Sequence, residues 1–389
     1  MSLDDEALLE YVVLGHTLGW KTLKKGKKFK PKHLKIPTLA PKNDVTLDEI
    51  KKALDNYFLQ FEGQKVAVLL SGGKDSRFVV EMCHKLNLNV TAITFGYSKG
   101  SREYIIARKV CSLLKIPHIF LHLDPKIYSL ENVRETIMCA PDSPDCTPHF
   151  SHYFYREILS QYDAVFTGEY ITHSLREERF YQPSDNVERL LRTLSFDEVC
   201  KEGKRQMIRK KIILQNSGKS LNEIALKKIV DTRFKWFDRT RDLFNFYCPI
   251  LDENVINTMW AIPETGIVKR IMKKYNFKTY NLPCTRSPFP LWFPWIVHYG
   301  YKYIENFTKP VNSSLRSNLD MGDWCGHWDV YCKLITNLAN KLRIERALDF
   351  DFIDKNILKR RLRTGMRNVD DAKCLEKLIK LSIWLEEMA

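Results

Sequence analysis

A six-residue apolar run at 65–70, KVAVLL, stops at Ser71-Gly72-Gly73 and gives way at once to a helical pattern from Asp75 to about Leu86. A strand with no polar face must be covered on both sides, as in a parallel sheet sandwiched between helices. The alternation repeats: the sequence predicts a strand over 89–95, a helix over 101–114 and a strand over 118–123. Two consecutive βαβ units imply right-handed crossovers and hence an α/β fold on a doubly wound parallel sheet. Thr46-Leu47-Asp48-Glu49 has capping-box spacing and opens a helix running to about Phe61. Helices near Val133 and over 149–159 lead to a further strand at 164–167.

From about Ser184 the strand signal fades, and helical periodicity marks 187–194, 221–237, 255–260 and 374–385. The expected organisation is a linker or docking arm over 1–44, with a short amphipathic helix at 4–14, and a nucleotide-binding core over 45–183. A helical part over 184–310 and a mostly helical C-terminal extension over 311–389 complete it. Most of the charge excess, 62 − 47 = 15, lies in two runs: 21–35 (KTLKKGKKFKPKHLK) and 359–367 (KRRLRTGMR). Such runs are read first as solvated surface, with contacts to RNA, a nucleotide or an acidic substrate as the alternatives. The most apolar aromatic stretch, 287–304, is broken by Pro288, Pro290, Pro294, His298 and Lys302, so no membrane span is expected. The N-terminus lacks a basic and apolar leader, which predicts a cytoplasmic location. Ten cysteines without a C-x-x-C pair suit buried free thiols better than a disulfide framework or a zinc cage.

The chemistry concentrates in Ser71-Gly72-Gly73-Lys74-Asp75-Ser76. Two glycines let the backbone approach a phosphate, the N–H groups of the turn and first helical turn converge on it, and the helix dipole favours its charge. Ser71 and Ser76 add hydroxyl donors. Asp75 would repel a bare phosphate, so a Mg²⁺ is expected between its carboxylate and a pyrophosphate. The G-x-x-x-x-G-K-[ST] spacing of a Walker A loop is missing.

At these residues the chain resembles the PP-loop ATP pyrophosphatases, whose fingerprint is S-G-G-x-D-S and whose members cleave ATP between the α and β phosphates. Three further stretches are similar to the synthetase domain of asparagine synthetases and their β-lactam-forming relatives. They are Thr167-Gly168-Glu169 after the strand at 164–167, the segment 249–256 (PILDENVI) with Ile262-Pro263, and 269–273 (KRIMK) followed by Leu282-Pro283 and Arg286. The resemblance covers about 45–310, with 4–31 similar to the segment that leaves the family's glutaminase domain. It implies ATP as co-substrate, Glu169 as the catalytic glutamate that assists amine attack and Lys269 as the lysine that offsets transition-state charge. Leu69, Thr167 and Gly168 would border the nucleotide, and Asp75 would contact Mg²⁺. The sequence departs from the pattern at Tyr170, where the family has Gly, and at Thr172, where it has a second metal-binding Asp.

The expected function is therefore an AMP- and pyrophosphate-forming carbon–nitrogen ligase acting on a carboxylate: a sugar acid, an amino acid or a peptide. No hydrolase domain of about 200 residues precedes the linker, and the first cysteine is Cys83. The nitrogen is expected to come from ammonia, from a separate glutaminase chain or from an amine on the substrate. Two alternatives stay open: a PP-loop enzyme modifying tRNA, for which the basic runs speak, and a non-catalytic nucleotide-binding homologue, which Thr172 suggests.

Overall fold

The computed structural model describes residues 2–40, 45–169, 171, 185–194, 196–262, 266–284, 287–293, 328–344, 348–364 and 369–388. Helix α1 (Asp5–Leu14) and helix α2 (Leu47–Leu59) precede strand β1 (Lys65–Leu69), helix α3 (Lys74–Lys85), strand β2 (Asn89–Gly96), helix α4 (Arg102–Leu114) and strand β3 (His118–His122). Helices α5 (Leu130–Met138), α6 (Phe150–Phe154) and α7 (Arg156–Leu159) lead to strand β4 (Ala164–Phe166). The next crossover carries α8 (Asn186–Thr193), α9 (Glu202–Asn216), α10 (Leu221–Ile229), a π-helical turn (Val230–Phe234) and α11 (Lys235–Thr240) before strand β5 (Phe246–Tyr247). Then come α12 (Glu253–Met259), α13 (Ile267–Lys274), a hairpin of β6 (Pro283–Cys284) and β7 (Ser287–Pro290), and helices α14 (Trp328–Lys341), α15 (Lys355–Thr364) and α16 (Val369–Met388).

The five-stranded sheet has the order β3-β2-β1-β4-β5, and every pairing is parallel. The chain steps outward from β1 to β3, then returns across the sheet to place β4 on the other side of β1. Right-handed crossovers in opposite directions put helices on both faces, which makes the sheet doubly wound as the sequence predicts. Val66, Ala67 and Val68 are fully buried, so β1 lies at the centre, where both of its faces are covered. On one face Phe166 meets Phe61 edge-on at 4.8 Å and Phe58 at 5.3 Å. Successive strand residues point to opposite faces, and on the other one Phe246 packs against His152 of α6 and Trp236 of α11.

Local signals explain the boundaries. Thr46 and Glu49 form the reciprocal capping box of α2, Ser101 caps α4 and Asp252 caps α12. Strand β5 was not legible, because two residues are too few to leave an alternation. The continuous helix expected over 221–237 is interrupted by the π turn, where one extra residue per turn shifts the side chains around the axis.

Residues 2–40, read from the sequence as a linker or docking arm, are folded against the molecule. Ala7, Leu8, Tyr11 and Val12 are buried in the same apolar core as the sheet. Carboxylates fasten the basic run that follows. Asp238 accepts the backbone N–H groups of Lys32, His33 and Leu34 at 2.8–3.2 Å, Glu10 accepts that of Leu18 at 2.8 Å, and Asp231 that of Gly19 at 2.7 Å. Lys25, Lys27, Lys28, Lys30, Lys32 and Lys35 remain exposed while Leu23 and Phe29 are buried. At the other end, Asp197 bonds Arg361 of α15 and Lys377 of α16, each at 2.8 Å. Arg361, inside the second basic run, is thus buried rather than solvated. No helix among the described residues is long and apolar enough to cross a membrane.

Candidate active site

Strand order reverses between β1 and β4, and it is in the crevice outside the carboxyl ends of the strands at such a switch point that open parallel sheets take their ligands. The turn after β1 supplies Ser71, Gly72 and Gly73, and α3 begins at Lys74. Ser71 and Ser76 lock the back of this turn: their hydroxyls lie 2.9 Å apart, and the Ser71 N–H donates to Ser76 Oγ at 3.0 Å. The Gly73 N–H donates to Ser71 Oγ at 3.2 Å, which bends the chain sharply into the helix. The front of the turn therefore carries no side chain beyond Cα at two successive positions, and the first N–H groups of α3 head the crevice.

The wall opposite is the end of β4. A Cβ on Gly168 would stand 2.4 Å from the backbone nitrogen of Ser76 and 2.6 Å from its Cα, distances that real contacts do not show. Only glycine lets the two chain segments approach this closely, so Gly168 joins the end of β4 to the first turn of α3. Thr167 is buried and its Oγ1 accepts the Glu169 N–H at 3.3 Å, while its own N–H donates to the Tyr247 carbonyl at 2.9 Å. Leu69, half-buried, ends β1 on the same side. Ser71, Gly72, Gly73, Asp75, Ser76, Thr167, Gly168 and Glu169 are thus gathered around one crevice.

Glu169 is the first residue past that contact. Its side chain is 38 % exposed, and Oε2 lies 3.5 Å from Nε of Arg233. Desolvation raises its pKa above the ordinary carboxylate range, and the positive charge of Arg233 opposes the rise. From the β5 side, the Cys248 thiol donates to the Glu169 carbonyl at 3.2 Å. Burial, with the Glu169 carboxylate adding to it, pushes that thiol well up and keeps it protonated. Lys269 lies on a separate element, half-buried in the first turn of α13, which packs against α2 and α3. Tyr170, Thr172, Pro263, Arg286, Pro294 and Trp295 lie outside the described residues.

Two residues of α3 that drew no notice in the sequence brace the site. Arg77 is fully buried and donates to four carbonyls: Thr279 and Leu282 of the segment before β6, Pro283 at the start of β6, and Gly72 in the turn itself. Four residues on, Glu81 accepts the N–H of Thr279 at 3.0 Å and the N–H of Lys278. The visible signal was two opposite charges at i, i+4 within the apolar run FVVEMC, which a solvated surface pair does not require. Among the described residues no group of three or more His, Cys, Asp or Glu could hold a metal ion.

A 61-residue stretch is 43 % identical to the 7-cyano-7-deazaguanine synthase of Methanocaldococcus jannaschii, covering 15 % of this chain and 26 % of that protein. The chain thus spans about a quarter of the length of that curated relative. Among solved structures, NMN synthetase from Francisella tularensis is 13 % identical with a TM-score of 0.25, over 52 % of this chain and 94 % of that one. The NH3-dependent NAD synthetase of Campylobacter jejuni is 13 % identical with a TM-score of 0.25, over 50 % and 96 %. A predicted subunit of a tRNA methyltransferase from Methanocaldococcus jannaschii is 19 % identical with a TM-score of 0.20, over 38 % and 75 %. Likenesses this low say nothing of activity. The family model described as asparagine synthase matches residues 59–170, from the end of α2 through the PP-loop turn to just past Glu169. Residues 59–170 are therefore an asparagine synthase family domain of the PP-loop superfamily.

Proposed function

We propose that this chain is an ATP-dependent amide-forming synthetase. A carboxylate oxygen of the substrate attacks the α phosphorus of ATP, the bond to pyrophosphate breaks, and an amine then attacks the acyl-adenylate carbonyl and displaces AMP. The observation that carries this reading is the close approach of Gly168 to the first turn of α3. It sets Glu169, a carboxylate, beside a side-chain-free turn suited to a phosphate chain. The family uses ATP, and the turn fits its phosphates: bare backbone at Gly72 and Gly73, locked serines behind, and helical N–H groups ahead. Asp75 is the residue that would hold Mg²⁺, together with the phosphates and water, since Mg²⁺ takes one or two carboxylates and keeps several waters. When bound, that ion would offset charge on the phosphates.

The chain's own residues do the rest. Glu169 takes the proton that the attacking amine must lose, a task suited to a carboxylate whose pKa desolvation raises. Lys269 offsets negative charge on the oxyanion of the tetrahedral intermediate and on the departing phosphate. The nitrogen comes from ammonia, from a partner glutaminase or from an amine on the substrate. The test is to incubate the protein with ATP, Mg²⁺, ammonia and a panel of carboxylates and tRNA. Carboxylate-dependent AMP and pyrophosphate are expected; stoichiometric ADP would sink the reading, and turnover with tRNA alone would favour an RNA-modifying enzyme. Glu169→Gln should retain carboxylate-dependent pyrophosphate exchange while slowing amide formation. Equal losses in both would reassign Glu169 to nucleotide binding.

A further inference from the structure

Arg233 lies outside the matched family segment and was not singled out in the sequence. It sits in the π-helical turn 230–234, and such turns are rare and concentrate at functional sites. Its neighbours hold the turn rigidly. Asp231 accepts the Gly19 N–H and pairs with Lys227 at 2.5 Å, while Lys235 pairs with the buried Asp145 at 3.0 Å. Between these two anchors the Arg233 side chain is 41 % exposed and reaches Glu169. The separation of 3.5 Å between Nε and Oε2 is longer than a charge-assisted hydrogen bond.

Position gives this pair its meaning. The PP-loop turn lies on the β1 side of Glu169 and Arg233 on the β5 side, since Arg233 belongs to the β4–β5 crossover and Cys248 follows β5. A nucleotide on the turn leaves the Arg233 side for the acceptor. Among the described residues, His149 and Cys248 beside Arg233 do not compete for an anion. His149 stays neutral because burial, then His152 and Arg233, press its pKa far down, and the Cys248 thiol stays protonated. Arg233 is thus the cation that Glu169 and an incoming anion would share.

Resting on the synthetase reading, we infer that Arg233 is the receptor for an anionic group, carboxylate or phosphate, on the acceptor substrate, and that its capture releases Glu169 to act as base. Arg233 is a positioning residue in this scheme. Once the guanidinium turns to the acceptor, Glu169 loses the charge that favoured its ionised form and becomes the stronger base, which favours proton uptake. As the C–N bond forms and the C–O bond to AMP breaks, the amine proton passes to Glu169.

The test needs neither ATP nor a known acceptor. Malonate and, separately, methylphosphonate are titrated calorimetrically into the full chain near pH 6, in two buffers of different ionisation enthalpy, so that bound protons are counted. The expected result is binding with net proton uptake, the tighter anion naming the acceptor's group. Glu169→Gln should bind up to about fivefold tighter, the factor released when an exposed ion pair no longer competes, and without proton uptake. Arg233→Met should lose both binding and uptake, and Arg233→Lys should bind more weakly but still take up protons. Binding and uptake unchanged in Arg233→Met, or no binding of either anion by the wild type, overturns the inference. AMP formation is measured on the same preparation. Failure of anion binding beside intact AMP formation sinks only Arg233, whereas anion binding without AMP formation with any carboxylate sinks the synthetase reading.

Discussion

Gly168 shows how much one hydrogen in place of a side chain can decide. A Cβ there would overlap the backbone of Ser76, so Gly168→Ala must push the end of β4 away from α3. Overpacking of this kind costs about 1–3 kcal/mol. The larger loss is expected in turnover, on the order of 10²-fold, because a shift of about 1 Å misplaces reacting groups. Comparing the thermal midpoint with carboxylate-dependent AMP formation separates the two effects; unchanged AMP formation would mean the contact is dispensable. Lys269→Ala should slow turnover by about 10²- to 10³-fold if the ammonium offsets transition-state charge, with a smaller effect on ATP affinity. Glycines and serines clustered between a strand and a helix are legible because their chemistry is local. Arg77 and Arg233 were not, because each finds its partners about 200 and 64 residues away (279 − 77 and 233 − 169). A lone arginine in a helical pattern looks the same whether it meets water or a carbonyl.

Among the elements, those with clean periods were read nearly to their ends: β1, α3, β2, α4 and β3 fall within one or two residues of expectation. Helix α9 escaped because EGKRQMIRKKIILQN carries apolar residues on both its buried side, Ile208 and Ile212, and its exposed side, Met207 and Leu214, which blurs the period. The basic composition of α15 hid a buried contact in the same way. Asp197 pins α15 and α16 together through Arg361 and Lys377 and accepts the Val199 N–H at 2.9 Å. Desolvation pushes the Asp197 carboxyl up, but Lys377 and the hydrogen bonds outweigh it and hold the pKa well below the ordinary range. A depressed carboxyl stabilises the fold fully above its unfolded pKa of about 3.9, and that stability is lost as pH falls through the lower folded value. Asp197→Asn should therefore cost about 3–5 kcal/mol at neutral pH by stranding two buried cations. Its urea midpoint should fall less steeply than the wild type's below pH 4. A midpoint unchanged at pH 7 would show that the pin carries no load.

For the molecule as a whole, the first 40 residues are structural. Asp145 and Lys235 are buried together under the arm, with Thr17 bonded to both. Burial opposes charge on each, but their mutual attraction and the hydrogen bonds that Asp145 accepts from Thr17 and Lys235 hold its carboxyl below the ordinary range. Asp145→Asn should cost about 3–5 kcal/mol by leaving Lys235 uncompensated. Deleting 1–40 should expose the apolar floor beneath Leu8, Tyr11 and Val12 and give aggregating protein, read by light scattering and calorimetry. A deletion variant that melts as cooperatively as the full chain would return the arm to a mere linker. The sheet could be foreseen because strand, turn and helix signals all agree along short stretches; this packing could not, since nothing local tells a lysine-rich loop which distant carboxylates will meet its N–H groups. The Tyr11 hydroxyl donates to the carbonyl of Lys377, 366 residues later, and the Lys377 ammonium reaches back to the carbonyl of Val12. On the ribosome, then, α1 leaves the exit tunnel long before the helix that will cover it has been translated. At about 5–20 residues per second the nascent chain must carry that apolar face uncovered for roughly 20 to 70 seconds, an interval in which chaperone capture competes with folding.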